Sequence, residues 1–276
     1  MIKTPTGHPL EPVFDWYRFS TKMEARDVLE LFEPMGQDDP FRDEKPKLKG
    51  YGWAKKTGGP GGSILIHYGG RNGDEHGPNV VGTGPASVRV AELVRRACVP
   101  HGVGRADVRL DFLADFDVCR LQFIERCNDA GMVARDHGSC PESVKQCGRS
   151  VYGGSPKSFY TPTLYQKGLQ LGDGHPVDYL RLEHRFAPTK AHEKAQLSTM
   201  TPADMVGLRP VSRDLTEKIT ALAVAPYKLD RYPKEKGPWY WMLKAYQKAL
   251  REAHSDLGSW SAVGHQIGYD LENLDV

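Results

Sequence analysis

Gly104-Arg105-Ala106-Asp107-Val108-Arg109-Leu110-Asp111-Phe112 carries the alternation on which the fold turns. Side chains two apart on a β-strand share a face. Ala106, Val108 and Leu110 therefore point one way, and Arg105, Asp107, Arg109 and Asp111 point the other. Two carboxylates on one strand face could hold a hard divalent cation through oxygen ligands. A solvated strand face stitched by its own ion pairs would show the same pattern. Asp115 and Asp117 extend the acidic run toward the strand end or the next loop.

A second strand, within Val177 to Phe186, repeats the arrangement. Arg181, Glu183 and Arg185 share one face; Leu182, His184 and Phe186 share the other. Glu183 is a third candidate oxygen ligand if this strand neighbours the first. His184, set among apolar residues, reads as a satisfied core histidine.

Between them lies Arg149 to Lys167, RSVYGGSPKSFYTPTLYQK, with three tyrosines, Arg149, Lys157, Lys167 and no Asp or Glu. A Gly-Gly-Ser turn lets backbone N–H groups approach a phosphate. Aromatics between cations suit single-stranded nucleic acid, because bases stack while phosphates find Lys and Arg. A hairpin whose tyrosines pack against a sheet would look similar. A tyrosine can attack a phosphodiester, but its phenol, with a pKa near ~10, needs help from a metal or a nearby lysine. Tyr165, which shares a strand face with Lys167 two residues on, is a better candidate than Tyr152 or Tyr160.

The remaining chain reads as α+β. Strands are expected at Val13 to Ser20, Tyr51 to Lys55, Ser63 to Tyr68 and Asn79 to Gly82, and a hairpin turn at Asn72-Gly73. Helices are expected at Met23 to Phe32, at Val88 to Cys98 with Ser87 as cap, and at Val118 to Ala130. After Pro188 the periodicity is helical through Lys190 to Leu197, Pro202 to Leu208, Arg213 to Val224, Trp239 to Ala253 and Trp260 to Leu271. This predicts a mainly antiparallel sheet with helices on one face over residues 10–188, then a helical region over 189–276.

The chain has 276 residues, with 37 Lys plus Arg against 35 Asp plus Glu. A net charge of +2 excludes a polycation. The balance is nevertheless local. Residues 105–117 set two arginines against four aspartates, whereas residues 145–190 set seven basic residues against three acidic ones. No apolar run is long enough to span a bilayer. The N-terminus lacks an apolar signal region. Five cysteines at irregular spacing, with no CxxC pair, point to free thiols and the cytoplasm. P-loop, HExxH and zinc-deaminase signatures are missing, as is the His-hydrophobe-His triplet.

Together the motifs resemble the replication initiation factor family of rolling-circle plasmids, conjugative elements and filamentous phages. The matching residues are Phe14-Asp15-Trp16, Gly82-Thr83-Gly84, Arg105 with Asp107 and Asp111, Tyr152 with Gly154, Ser155 and Ser158, Tyr165 with Lys167, and Arg181 with Glu183 and Arg185. The match runs over about residues 13–187. Gln166 and Gln170 depart from it, standing where the family often has acidic residues.

The resemblance implies a metal-dependent nickase of bacterial cytoplasm. Tyr165 would be the nucleophile, aided by Lys167, and would stay joined to a 5′ phosphate. Asp107, Asp111 and Glu183 would hold Mg²⁺ or Mn²⁺. Tyr152, Gly154, Ser155, Lys157, Ser158, Arg181 and Arg185 would contact DNA. Origin DNA, a host helicase and a host polymerase are the implied partners, with a homodimer as an open option. Two other readings stay open, a DNA-binding regulator without chemistry and a nuclease that uses water.

Overall fold

The computed structural model describes residues 3–37, 39–59, 62–70, 77–137, 148–229, 247–259, 261–263 and 265–267. Their strands are β1 (Val13–Thr21), β2 (Arg42–Glu44), β3 (Tyr51–Gly59), β4 (Gly62–Gly70), β5 (Asn79–Thr83), β6 (His101–Leu113), β7 (Ala134–His137), β8 (Ser150–Gly153), β9 (Tyr160–Gln166) and β10 (Tyr179–Phe186). All ten join one sheet in the order β2-β3-β4-β5-β1-β6-β10-β9-β8-β7. Every pairing is antiparallel. The helices are α1 (Ala25–Phe32), α2 (Pro85–Arg96), α3 (Phe116–Asp129), the single turn α4 (Lys167–Leu171), α5 (Ala191–Leu197), α6 (Pro202–Gly207), α7 (Pro210–Thr220) and α8 (Gln247–Leu257). The α+β expectation therefore holds, with α1, α2, α3, α5, α6 and α7 packed on one face of an antiparallel sheet.

The quoted stretch lies in β6, at the centre of the sheet between β1 and β10. Ala106, Val108, Leu110 and Phe112 are fully buried beneath the helices. Two apolar clusters fill that side. One joins Phe14, Tyr17, Ile66 and Val108 to α1, α2, α5 and α6 through Val28, Val90, Leu197 and Val206. The other joins Leu110, Leu164 and Leu182 to α3 and α7 through Phe123 and Leu215. A buried leucine or phenylalanine contributes about 1.5–3 kcal/mol, so the apolar face of β6 anchors both clusters.

Two irregularities aim β1 and β6. The register between them shifts once between Phe14 and Trp16 and again between Arg18 and Phe19. The first leaves Asp15 unpaired in the ladder, as a β-bulge does. The second lets Val103 enter the core while Arg105 faces away from it. Farther on, Gly82 and Gly84 are steric requirements. A Cβ on Gly82 would lie 2.8 Å from Ser87 Cα, and Gly84 caps α2 at φ 54. Ser87 is not the cap the sequence suggested. Its hydroxyl instead donates to Phe14 O at 2.9 Å, tying α2 to β1.

Several other expectations shift. The short edge strands β2 and β7 escape periodicity, because neither repeats an apolar position. Asp115 caps α3 by accepting from Val118 N at 3.0 Å. Cys119 and Cys127 are buried free thiols and Cys98 an exposed one. Asn72-Gly73, Cys140, Cys147, Trp239-Tyr240-Trp241 and the end of the last expected helix lie outside the described residues, as do residues 230–238 of the Pro- and Lys-rich linker that the sequence suggests over Lys228 to Pro238. Compactness divides the chain into Met1–Leu229 and Asp230–Val276, not near residue 188. The reason is that α5 to α7 place Leu197, Met205, Val206, Leu215 and Ile219 in the clusters under the sheet. No helix among the described residues is long and apolar enough to cross a membrane.

Candidate active site

The face of β1, β6, β10 and β9 turned away from the apolar clusters carries the charged residues singled out in the sequence. Register fixes its layout. Asp107 stands opposite Arg185, Arg109 opposite Glu183, and Asp111 opposite Arg181. Across β9, Arg181 is opposite Tyr165 and Glu183 opposite Thr163. On the other side Trp16 is opposite Asp107 and Arg18 opposite Arg105. Every residue on this face of β6 and β10 was legible from alternation. Their pairing was not, because it depends on which strands adjoin.

The charges form a lattice. Arg181, with only 3% of its surface exposed, donates to Asp111 through Nε at 2.6 Å and Nη2 at 2.9 Å. Its Nη1 donates to Asp15 at 3.1 Å, and Arg109 Nη1 donates to the other oxygen of Asp15 at 2.9 Å. Asp107 is 2% exposed and accepts from Arg105 Nε at 2.9 Å and from Arg105 Nη2. The Arg105 guanidinium also stacks 4.5 Å from the Trp16 ring centroid. Asp15 joins the site although the sequence assigns it no role; its signals there are the Phe14-Asp15-Trp16 motif and the interruption of alternation within it, which the bulge explains.

Arg185 and Glu183 are held more loosely. Arg185 Nε has no hydrogen bond and lies 3.5 Å from Asp107 Oδ1. Arg185 Nη2 is 3.6 Å from Glu183 Oε1. Burial, followed by the charges of Asp107 and Asp15, pushes the Glu183 carboxyl up to about 7. Both residues line a cleft of about 680 Å³ with Tyr165, Thr163 and Tyr152.

Tyr165 is half-buried in that cleft. Burial raises its phenol above the ordinary value, while the neighbouring Arg181 works against the rise. Lys167 is not on the strand, as its spacing from Tyr165 suggested; β9 ends at Gln166 and Lys167 opens α4. Its amine remains 5.9 Å from the Tyr165 ring centroid and donates to Gln170 at 2.8 Å. Burial, then Arg181, lowers its proton affinity.

Of the other tyrosines, Tyr160 is in the core. Its hydroxyl bonds His184 Nδ1 at 2.8 Å. Thr216 Oγ1 lies 3.0 Å from His184 Nε2 and donates its proton to Ser212 O at 2.8 Å. Nε2 must therefore donate to Thr216, leaving Nδ1 to accept from Tyr160. Burial pushes His184 down to about 3, so it is the neutral core histidine expected. Tyr152 is 43% exposed and faces the cleft.

The Gly-Gly-Ser turn does not present the amides expected of a phosphate cradle. Gly154 N donates to Val133 O at 2.9 Å and Ser158 N to Ser155 O at 2.9 Å. Lys157 N points to Ser155 Oγ at 3.4 Å. The side chains of Ser155, Lys157 and Ser158 are exposed. This turn lies beyond Tyr152, so the expected DNA contacts fall into two groups, Tyr152, Arg181 and Arg185 near Tyr165, and Gly154, Ser155, Lys157 and Ser158 past the end of β8.

Asp107, Asp111 and Glu183 share the face expected for metal ligands, yet as arranged they do not fit a divalent ion. Arg105 and Arg181 occupy the first two carboxylates with forked hydrogen bonds. Among the described residues no group of three acidic, histidine or cysteine side chains is gathered for a metal. What the arrangement offers directly is a row of arginines held upright by carboxylates beside a tyrosine. Guanidinium forks suit phosphate oxygens.

No family model matches the chain, and no curated protein matches it in sequence. Among solved structures, its fold is similar to that of a rolling circle replication initiator protein from Geobacillus stearothermophilus. That likeness has a TM-score of 0.55 at 20% identity and covers 79% of this chain and 100% of the other. At that identity the likeness is one of fold.

Proposed function

We propose that this chain initiates rolling-circle DNA replication by nicking one strand at an origin through Tyr165 and later rejoining it. The observation that carries the reading is the cleft that brings Tyr165 together with Glu183 and Arg185, next to Arg181, on the open face of the sheet. The similar fold of a replication initiator supports it.

In this reading the Tyr165 oxygen bonds to phosphorus and the bond to the 3′ oxygen breaks. The protein is left on the 5′ phosphate, with a free 3′-hydroxyl for a host polymerase. Arg185, whose ion pairs with Asp107 and Glu183 are long at 3.5 and 3.6 Å, grips the scissile phosphate. Arg181 favours the phenolate against the burial that opposes it, and Lys167, 5.9 Å from the ring centroid, adds a second positive charge nearby. Glu183 takes the phenolic proton and returns it to the departing 3′ oxygen. Rejoining is the same sequence reversed. Tyr152 offers an exposed ring on which a base can stack. Mg²⁺ or Mn²⁺ dependence belongs to the proposal, although Arg105 and Arg181 would have to release their carboxylates first. Origin DNA is the proposed partner, with host helicase and polymerase acting after the nick.

Supercoiled plasmid carrying the cognate origin should yield a nicked circle with protein on its 5′ end, and mass spectrometry should find the nucleotide adduct on Tyr165. Omitting both divalent ions reads the metal requirement. Tyr165→Phe should abolish nicking. Cleavage that survives in that variant means a nuclease using water, and no cleavage by wild type means a DNA-binding regulator.

A further inference from the structure

The turn between β8 and β9 divides two clefts. One holds Tyr165. The other, about 670 Å³, lies between that turn, the connection from α3 to β7 and the start of α7. Arg135 and Arg209 line it with the hydroxyls of Ser155 and Ser158, against an apolar wall that includes Met132 and Phe159. None of its lining residues is acidic. Neither arginine is ion-paired among the described residues. Arg135 Nη1 donates to Gly154 O at 3.4 Å, and the Arg209 guanidinium lies 5.1 Å from the Phe159 ring centroid. Both arginines are exposed. An acid-free cleft with two unpaired guanidiniums, hydroxyls and an apolar wall has the chemistry of a site for phosphates and bases together.

The two clefts adjoin. Tyr152 lines the first and Gly154 the second, and two residues of strand span about 7 Å. Arg135 is opposite Tyr152 in the ladder, and the Tyr152 ring meets His137 edge-on at 5.2 Å. Tyr165 is opposite Ser150, four positions before Gly154. That is about 13 Å of strand, a separation that one short stretch of nucleic acid can bridge.

We infer that the cleft of Arg135 and Arg209 is a further nucleic-acid site, holding backbone phosphates of the single strand whose scissile bond lies at Tyr165. The inference rests on the nicking reading above. A single strand is favoured over a duplex because Tyr152, on the path between the clefts, exposes an aromatic face that only an unpaired base can cover.

The test is fluorescence anisotropy of a labelled oligothymidylate of about 15 residues, titrated with the full chain across a range of salt concentrations. Each lost phosphate contact lowers the slope of log affinity against log salt by ~0.7 for single strands. The double variant Arg135→Gln, Arg209→Gln should lose about 1.4 from that slope and bind about tenfold more weakly near ~0.1 M salt. Arg135→Lys with Arg209→Lys should keep the slope, which separates charge from structure, and thermal melts show whether each variant is folded. An unchanged slope and affinity in the folded glutamine variant overturns the second cleft. If wild type then still forms the Tyr165 adduct, the nicking reading survives. If wild type neither binds the oligonucleotide nor forms the adduct, both fall.

Discussion

Glu183 concentrates the conflict that the site has to hold. It is mostly buried, it faces Asp107 and Asp15, and its nearest cation is 3.6 Å away. Its carboxyl titrates at about 7 in the folded protein against ~4.3 in an unfolded chain. A raised carboxylate contributes stability that is complete below the unfolded value and is lost as pH rises through about 7. Glu183→Gln removes the cost of ionisation. We expect it to raise Tm by roughly 5 °C at pH ~8, on the order of 2 kcal/mol, and to leave Tm nearly unchanged at pH ~4, read by calorimetry. A site that prefers a neutral Glu183 but works through its carboxylate stores that cost for binding or chemistry to recover. On the proposed nicking reading, in which Glu183 acts as the base, cleavage should fall as pH drops through about 7.

At the scale of elements, β10 couples the charged face to the helices. Arg181, Glu183 and Arg185 face the cleft, while His184 between them reaches α7 through Thr216. Thr216→Val keeps the shape but leaves the His184 Nε2–H without its acceptor in the core. The expected cost is about 1–3 kcal/mol, seen as a lower urea midpoint with unchanged slope. Alternation made both faces of β6 and β10 readable from sequence, because period two survives in every central strand that is apolar on one side. It could not reveal the Asp15 bulge, since a bulge is defined by the partner strand. It also placed Lys167 on β9, because nothing in Tyr165-Gln166-Lys167 marks where extended chain gives way to a helical turn. The Gly82-Thr83-Gly84 motif was visible as a pattern, whereas its cause, the contact of α2 with β5, is three-dimensional.

For the molecule as a whole, the change of composition after Pro188 is real but does not mark the end of the compact unit. Helical periodicity reports secondary structure, and only contacts report which sheet a helix covers. A chain ending at Leu229 should fold and melt cooperatively, because α5, α6 and α7 still cover the sheet. A chain ending at residue 188 should be insoluble or molten, with Phe112, Leu182 and Phe186 uncovered; circular dichroism and dye binding distinguish the two. Among the described residues the sheet also has two unpaired margins, and each is a place where another chain could add a strand. Both are brief and charged: β2 is the three residues Arg42, Asp43 and Glu44, and β7 is four, with Arg135, Asp136 and His137. Margins of this kind resist templated growth. Copies of this chain can thereby be crowded together without seeding fibres.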